Sequence, residues 1–325
     1  MRMQERGVNR MESAAKGQAK GRARPGRLRR GWQEACRHKT SYLLMAPYMV
    51  FFILFLVIPI IAAICLSFTY FNMLEAPRFV GLLNYQRLFL EDKIFLKVLQ
   101  NTLLFAVITG PLSYLLSFGL AWLINQFGRY MRTFMTFLFY APALMSNMFF
   151  MWSYLFSGDS YGVVNGMLLS IGAIREPVQW FSDTSTMLPV LILIQLWASL
   201  GTAFLSFIAG FQSQDRTLFE AGAIDGVKNR WQELWYISIP QMAPQLMFGA
   251  VMQIGSAFGV SSVIMSLAGW PTTEYAADTI VTYMLDVGNT RYEMGYACTM
   301  AVFLFALMLF TNKVITNALR KYSID

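Results

Sequence analysis

The sequence predicts an all-α integral membrane protein with six membrane-spanning helices, and three observations predict it. Of the 325 residues, 56% are hydrophobic and 14% are charged, whereas soluble domains carry about a quarter charged residues. Basic residues are also distributed unequally between alternate loops. Six long stretches contain no Asp, Glu, Lys or Arg: Thr40 to Leu74, Val98 to Gly128, Thr133 to Gly158, Thr184 to Gln214, Leu234 to Thr273, and Met294 to Asn312.

Each uncharged stretch is long enough for one spanning helix. Such a helix needs about 20 apolar residues, and an ionised side chain at the bilayer centre costs at least ~2.5 kcal/mol. The expected transmembrane domain covers residues 42–325. Its expected spans are about 43–70, 98–126, 133–156, 186–211, 244–267 and 294–317.

Residues 1–41 form a basic tail that contains 12 of the 26 Lys and Arg residues. The segment from Lys16 to Arg30 has no aromatic residue, which favours a cytoplasmic anchor at anionic lipid over a nucleic-acid-binding element. The basic region and the apolar stretch after it are too long for a signal peptide. We therefore expect the first helix to be retained.

Loop charge predicts the orientation. If the tail is cytoplasmic, 20 basic residues lie in cytoplasmic segments and 6 in outer ones. The positive-inside rule then places both termini in the cytoplasm. The first outer segment, Phe71 to Lys97, is expected to carry an amphipathic helix at the membrane surface.

Catalytic chemistry has few candidates in this sequence. The three cysteines, Cys36, Cys65 and Cys298, have no metal or redox spacing, and His38 is the single histidine. No catalytic residue and no metal site is therefore predicted. An ion-coupled secondary transporter is the alternative class of function. Such a transporter usually needs acidic residues within the membrane.

The segment between the fourth and fifth expected spans predicts a helical hairpin. Asp215 or Thr217 can cap a short helix, and Glu220 favours its positive end. Gly226 can end this helix in a left-handed conformation, and a second helix is expected to stop near Pro240.

The first helix of this hairpin has features of a docking element. Ala221, Gly222 and Ala223 are small, so another protein can approach the backbone closely. Leu218, Phe219 and Ile224 are apolar anchors of the kind that a groove accepts. An ordinary surface hairpin fits the same residues equally well.

The sequence Glu220-Ala-Gly-x-x-Asp225-Gly226, followed by Ile237-x-Ile-Pro240-x-x-x-Pro244, resembles the EAA signature of permease subunits in binding-protein-dependent ABC importers. It departs from the usual pattern at Gly222, where Ala is common, and at Ile239, where Leu is common. The resemblance continues through further elements that match carbohydrate permeases, especially those for oligosaccharides and polysaccharides such as alginate: Phe79 to Phe89, Asn101-Thr102, Ala141-Pro142, Asp159 to Asn165, and Gly295 to Cys298.

The resemblance implies a type I importer permease fold that works by alternating access. Residues 215–244, called the coupling loop below, would contain the coupling helix that docks on a cytoplasmic ATPase. The residues implied in that contact are Glu220, Ala221, Gly222, Ala223, Asp225, Gly226 and Pro240. This chain has no phosphate-binding loop motif, so ATP and Mg²⁺ would bind to the partner and this subunit would not be an enzyme.

The resemblance also implies the remaining partners and the location. They are a second, different permease subunit, two ATP-binding subunits and an extracytoplasmic carbohydrate-binding protein, in a bacterial inner membrane and without nucleic acid. The residues do not identify the saccharide.

Polar and aromatic residues within the apolar stretches are candidates for the substrate pathway: Asn147, Trp152, Tyr154, Gln195, Trp197, Gln253 and Ser256. Polar groups inside helix bundles also bond neighbouring helices, which is the competing interpretation. Charged outer residues, including Glu274, Asp278, Asp286 and Arg291, can contact the binding protein. Solvated loop charge is the simpler account of them.

Overall fold

The protein is described by a computed structural model that covers residues 39–145 and 148–320. The described residues divide into two compact units, with the boundary between Ile61 and Ala62. Residues 1–38 of the expected tail, with Cys36 and His38, lie outside the described residues.

The described part of the first unit is helical. Helix α1 (Lys39–Phe52) continues through a π-helical segment, Ile53–Val57, into α2 (Ile58–Leu66), which extends into the second unit. The large apolar side chains of this stretch are exposed, for example Leu44 at 78% and Phe55 at 70%. That exposure is expected of a helix whose solvent is lipid.

The second unit begins with two short antiparallel strands, β1 (Thr69–Tyr70) and β2 (Arg78–Phe79), in which Thr69 pairs with Phe79. The helices that follow are α3 (Leu83–Gln86), α4 (Lys93–Asn125), α5 (Arg129–Leu144), α6 (Phe149–Leu155), α7 (Val163–Ser170), α8 (Met187–Ala198), α9 (Thr202–Gln212), α10 (Arg216–Ile224), α11 (Arg230–Glu233), α12 (Ile239–Gln241), α13 (Ala243–Phe258), α14 (Ser262–Leu267), α15 (Ile280–Leu285) and α16 (Met294–Arg320). Three π-helical segments, Arg87–Glu91, Leu234–Ser238 and Asp286–Thr290, and a 3-10 turn, Thr273–Tyr275, complete the regular structure.

Helix α4 contributes side chains to all three apolar clusters of this unit. Phe95 packs with α13, α15 and α16, Phe105 packs with α8 and α14, and Ala121 packs with α9. Helices α9 and α13 approach closely because Gly249 leaves room for the ring of Phe207, which a Cβ atom would overlap. Small residues at helix contacts are the usual device for close packing within a membrane.

The helical membrane fold is confirmed, but three of the six expected spans, at about 133–156, 186–211 and 244–267, are not single helices. Among the described residues, four helical stretches are long and apolar enough to cross a membrane: Leu43–Leu66, Lys93–Asn125, Met187–Gln212 and Met294–Ala318. A fifth is added if α5 and α6, which bend by 87° across a short break, count as one span.

The expected span at 244–267 is interrupted at residues 259–261, between α13 and α14. Helix α13 ends where the N–H of Gly259 donates to the carbonyl of Gly255 at 3.0 Å. The uncharged stretch therefore predicted an apolar segment correctly but did not reveal its break. A second difference lies at the start of α4, which begins at Lys93 rather than at residue 98.

Candidate functional site

The coupling loop begins with a capped helix. The Asp215 carboxylate accepts a hydrogen bond from the N–H of Thr217 at 2.9 Å and thereby caps α10. This hydrogen bond, from a donor that the helix leaves free, holds the pKa of Asp215 below its ordinary value. The first turn of α10 has no acidic residue, and Glu220 lies in the second turn. The prediction that Glu220 occupies the positive end of this helix was therefore wrong.

The turn after α10 requires glycine. Gly226 has a φ of +93°, which lies in the left-handed region. The N–H of Val227 donates to the carbonyl of Gly222 at 2.9 Å, and that of Gly226 donates to Ala223 at 3.4 Å. These two bonds form a Schellman motif, which satisfies carbonyls that the helix end would otherwise leave free.

The second helix of the hairpin has its own reciprocal cap. Asn229 Oδ1 accepts from the N–H of Gln232 at 2.9 Å, while Gln232 Oε1 accepts from the N–H of Lys228 at 2.8 Å. The helical path then runs through Leu234–Ser238 and α12, and it breaks at Met242. Local bonds therefore define both helices and the turn between them.

The base of the coupling loop is closed by side chains. Gln214 Nε2 donates to the carbonyl of Ser238 at 3.2 Å, and the N–H of Asp215 donates to Gln241 Oε1 at 3.2 Å. Trp231 packs on Trp122 of α4, with ring centroids 4.9 Å apart. The start and the end of the loop are thus fastened to each other and to the long helix α4.

The coupling loop exposes several apolar side chains. Ile224 is 87% exposed, Tyr236 is 73% exposed, and Leu218 is 48% exposed. The other exposed apolar residues of the loop are Ala221, Ala223, Trp231 and Trp235. Phe219, which was predicted to be an anchor, is partly buried.

Six of the seven predicted contact residues are exposed, and Gly222 is the exception. Glu220, Ala221, Ala223, Asp225, Gly226 and Pro240 face outward. A Cβ atom on Gly222 would lie 2.7 Å from Cδ1 of Ile237. The small size of Gly222 therefore allows the two helices of the hairpin to pack, which is a role that the sequence did not predict.

The predicted pathway residues do not form one site. Trp152 and Trp197 meet edge to face with centroids 5.3 Å apart, and Gln195 is buried on the same helix as Trp197. Tyr154 is 66% exposed, Ser256 is exposed, and Asn147 lies outside the described residues. The structure thus brings together Trp152 and Trp197.

Gln253 lies apart from this tryptophan pair, at an apolar cavity of about 420 Å³ between α4, α13 and α16. Its Nε2 atom is buried and has no hydrogen-bond partner among the described residues. The cavity wall is formed mainly by aliphatic side chains such as Leu103, Ala250 and Ile254. A sugar needs several hydrogen-bond partners, and one amide in an aliphatic wall does not supply them. This cavity is therefore poorly suited to bind a sugar.

The N-terminal end of α4 carries a polar network that the sequence did not reveal. Asp92 Oδ2 accepts hydrogen bonds from the hydroxyls of Tyr283 at 2.8 Å and Tyr296 at 2.7 Å. Its Oδ1 accepts from the N–H of Phe95 at 2.9 Å and so caps α4. Burial first, and then the hydrogen bond to Asp92, raise the pKa of Tyr283. A signal existed, since Asp directly before an apolar helix is a common cap.

Two arginines extend this network. Arg87 lies 2.6 Å from Glu293 and stacks 4.2 Å above the ring of Tyr296. Arg291 lies 2.7 Å from the Asp286 carboxylate and also donates to the Tyr275 hydroxyl. Below, the Asp92 network means these eight residues: Arg87, Asp92, Tyr275, Tyr283, Asp286, Arg291, Glu293 and Tyr296.

Two of the carboxylates expected in outer loops are buried, against expectation. Asp278 is 1% exposed and Asp286 is 3% exposed. Asp278 accepts from the backbone and the hydroxyl of Thr272, while Asp286 pairs with Arg291. Neither is solvated loop charge or available to a docking partner, because each is used to hold the outer connections in place.

Three asparagines lie in the sequence elements that resemble carbohydrate permeases. Their side chains form hydrogen bonds with backbone carbonyls of this chain. Asn84 donates to the carbonyls of Ser67 and Thr69 at 3.0 and 2.9 Å. Asn101 donates to three carbonyls between residues 275 and 278. Asn165 is fully buried and bonds Ser157, Asp159, Val178 and Trp180. These side chains fix loops that cross between helices.

Comparison with known proteins identifies a family model that matches this chain and a solved structure with a similar fold. The model of the family "Binding-protein-dependent transport system inner membrane component" matches residues 115–323. The chain is similar to the probable ABC transporter permease protein YesP of Bacillus subtilis, with 30% identity over 80% of this chain and 84% of the relative. It is also similar to the lactose transport system permease protein LacF of Rhizobium radiobacter, with 32% identity over 65% of this chain and 70% of the relative.

A solved structure matches over almost its whole length. It belongs to a bacterial ABC transporter involved in the import of the acidic polysaccharide alginate, and its TM-score is 0.71. The match covers 90% of this chain and 99% of the other, at 24% identity. At that identity the likeness concerns the fold.

Proposed function

The chain belongs to the family of binding-protein-dependent transport system inner membrane components, and we propose from that membership that it is half of the translocation pathway of an ATP-driven saccharide importer. It is a multi-pass inner-membrane permease component of an ABC transporter. We infer that it works by alternating access with a second, different permease subunit. Two partner subunits would bind ATP and Mg²⁺ and carry out hydrolysis.

The coupling loop is the observation that carries this proposal. Its first helix is capped at Asp215, ended at Gly226 and exposed along Leu218, Ala221 and Ile224. A rigid helix with exposed apolar anchors is the form in which one protein docks in the groove of another. We assign to Glu220, Ala221, Ala223, Asp225, Gly226 and Pro240 the contact with the ATPase, whereas Gly222 supports the hairpin from within.

A saccharide cargo is supported by two lines of reasoning. The relative from Rhizobium radiobacter is a lactose permease, and the structural neighbour belongs to an alginate importer. In this chain, Trp152 and Trp197 form an aromatic pair, and aromatic faces are suited to stack on the apolar face of a pyranose ring. We propose that an extracytoplasmic binding protein delivers the sugar to the outer end of this pathway.

The orientation follows from charge. With the coupling loop inside, 20 basic residues lie in cytoplasmic segments and 6 in outer ones. We therefore place both termini and the coupling loop in the cytoplasm and the Asp92 network on the outer side.

Reconstitution tests the class of transporter. The complete complex is placed in vesicles with the binding protein, and ATPase activity and sugar uptake are measured with and without a panel of neutral and acidic oligosaccharides. We expect both activities to rise with a cognate saccharide and to require ATP. Uptake driven by an ion gradient without ATP would instead establish the secondary transporter.

A substitution tests the coupling loop itself. Ala221→Arg places a long charge on the exposed face of α10, so we expect recovery of the ATPase with the permease to fall by roughly tenfold. Ala76→Arg is the matched control, because Ala76 is exposed in the outer segment. Equal recovery for the two variants, at an unchanged melting midpoint, would remove the assignment of α10 as the docking helix.

A further inference from the structure

A second cavity lies at the end of the helices from which the coupling loop emerges. It has a volume of about 480 Å³ and is lined by residues of α5 and α9, including Arg129, Arg132, Tyr140 and Gln212. Cavities of roughly 300 to 1,000 Å³ are typical of ligand sites. Gln212 is the last residue of α9, three positions before Asp215.

The lining of this cavity is cationic. Among the described residues, neither Arg129 nor Arg132 has a carboxylate within 4.0 Å. The one side-chain bond of these two guanidinium groups runs from Arg132 to the neutral amide oxygen of Asn125, at 3.2 Å. The cavity therefore holds two positive charges with no internal counter-charge, which is complementary to an anion.

The surroundings of the cavity favour one source of that anion. Along α5, Phe134 is 58% exposed and Phe137, which lines the cavity, is 64% exposed. Tyr130, on the first turn of α5, is 91% exposed. An aromatic ring at the helix end and apolar side chains further along it are typical of a surface at the boundary between head groups and acyl chains.

We propose that this cavity binds the phosphate of an anionic phospholipid of the cytoplasmic leaflet. Basic pockets between membrane helices on the cytoplasmic side are known to accept such head groups. The acyl chains would lie along the exposed apolar face of α5. A free phosphate would use the arginines but not this apolar face. The inference rests on the proposed orientation, which puts this end of the helices in the cytoplasm, but it does not depend on the identity of the sugar.

Lipid retention tests the site. The complex is purified in detergent with its partner subunits and titrated with phosphatidylglycerol or phosphatidylcholine, and bound lipid is counted by native mass spectrometry. We expect phosphatidylglycerol to bind more tightly. Each arginine near a membrane surface contributes about fivefold in affinity for an anionic lipid, so Arg129→Gln with Arg132→Gln should weaken binding by about 25-fold.

Two controls make the result decisive. Arg175→Gln removes one positive charge, as each of the two cavity substitutions does, but at an exposed outer position. It should leave phosphatidylglycerol binding unchanged. Inorganic phosphate at millimolar concentration should not displace the lipid. Equal binding of the two lipids, full displacement by phosphate, or undiminished binding in the double variant would each overturn the proposal.

One outcome separates this site from the proposed function. If the double variant binds lipid normally but loses the ATPase subunits, the arginines bind an acidic partner surface and the lipid proposal fails. If it loses lipid while the assembled importer still transports, the lipid site stands and the importer assignment is unaffected.

Discussion

The coupling loop and the Asp92 network both connect membrane helices and both contain charged residues, yet they are built in opposite ways. Hydrogen bonds that close the coupling loop join residues 24 and 26 positions apart. In the Asp92 network, the bonds of Asp92 to Tyr283 and Tyr296 and the bond of Arg87 to Glu293 join residues 191 to 206 positions apart. A locally closed loop can present an altered surface without disturbing the helices, whereas the outer network holds distant parts of the chain together.

The largest expected effect is at Asp92. Its hydrogen bonds join distant segments of the chain, so their loss should destabilise the whole fold. Asp92→Ala removes the cap of α4 and leaves the hydroxyls of Tyr283 and Tyr296, residues 2% and 3% exposed, without their acceptor. Loss of a cap costs about 1 kcal/mol and each orphaned buried donor about 1 kcal/mol or more. We expect a loss of about 3 kcal/mol and a melting midpoint in detergent lower by roughly 6 °C.

Glu91→Ala is the matched control for this variant, since Glu91 is an exposed carboxylate one position earlier. It should melt with the wild type. If Asp92→Ala and Glu91→Ala melt together, the Asp92 network does not hold the outer helix ends, and the contrast with the coupling loop disappears.

A smaller and purely local effect is expected at Gly222. Gly222→Val forces a branched side chain against Ile237, whose Cδ1 already lies 2.7 Å from the position of a Cβ atom. Overpacking of this kind costs about 1 to 3 kcal/mol. Trypsin should therefore cut the coupling loop after Lys228 and Arg230 faster than in the wild type, while the melting midpoint of the permease stays nearly constant.

Ala223→Val adds the same side chain at an exposed neighbouring position and should show wild-type cleavage. Gly222→Val combined with Ile237→Ala should recover part of the protection, because neighbouring sites couple when they share a contact. A fall in the melting midpoint as large as that of Asp92→Ala would mean that the coupling loop is not a local unit.

The smallest expected effect concerns the pH dependence of the cap at Asp215. Its pKa is lowered in the folded protein by the N–H of Thr217, so the cap stabilises α10 above the ordinary carboxyl pKa and is lost as pH falls through the folded value. Below about pH 4, amide protection at residues 217–219 should decrease in the wild type. In Asp215→Asn it should not change with pH, once the intrinsic exchange rate is taken into account. A parallel decrease in both proteins would show that another group titrates.

Local rules predicted the coupling loop well because its structure is local. Asp215 and Gly226 act at the helix ends where propensity alone places them. The packing role of Gly222 was not predicted because its contact, Ile237, lies on the other helix of the hairpin, and a list of small residues does not say which way each one faces.

The Asp92 network was predicted poorly because the side-chain contacts of Asp92 itself are long-range. The tyrosines that bond Asp92 come from α15 and α16, and no spacing in the sequence joins them to it. The same limit applies to the spans, since an uncharged stretch gives polarity and length but not continuity. The breaks at residues 145–148, 199–201 and 259–261 therefore became visible only in three dimensions.

The closed base of the coupling loop has a mechanical consequence. Gln214 and Asp215 are fastened to Ser238 and Gln241, and Trp231 is packed on Trp122. A force applied at the tip, near Ile224, therefore cannot be absorbed by bending between the two arms of the hairpin. We therefore expect the hairpin to move as one unit and to pass a displacement of its tip to α9, α13 and the long helix α4 together.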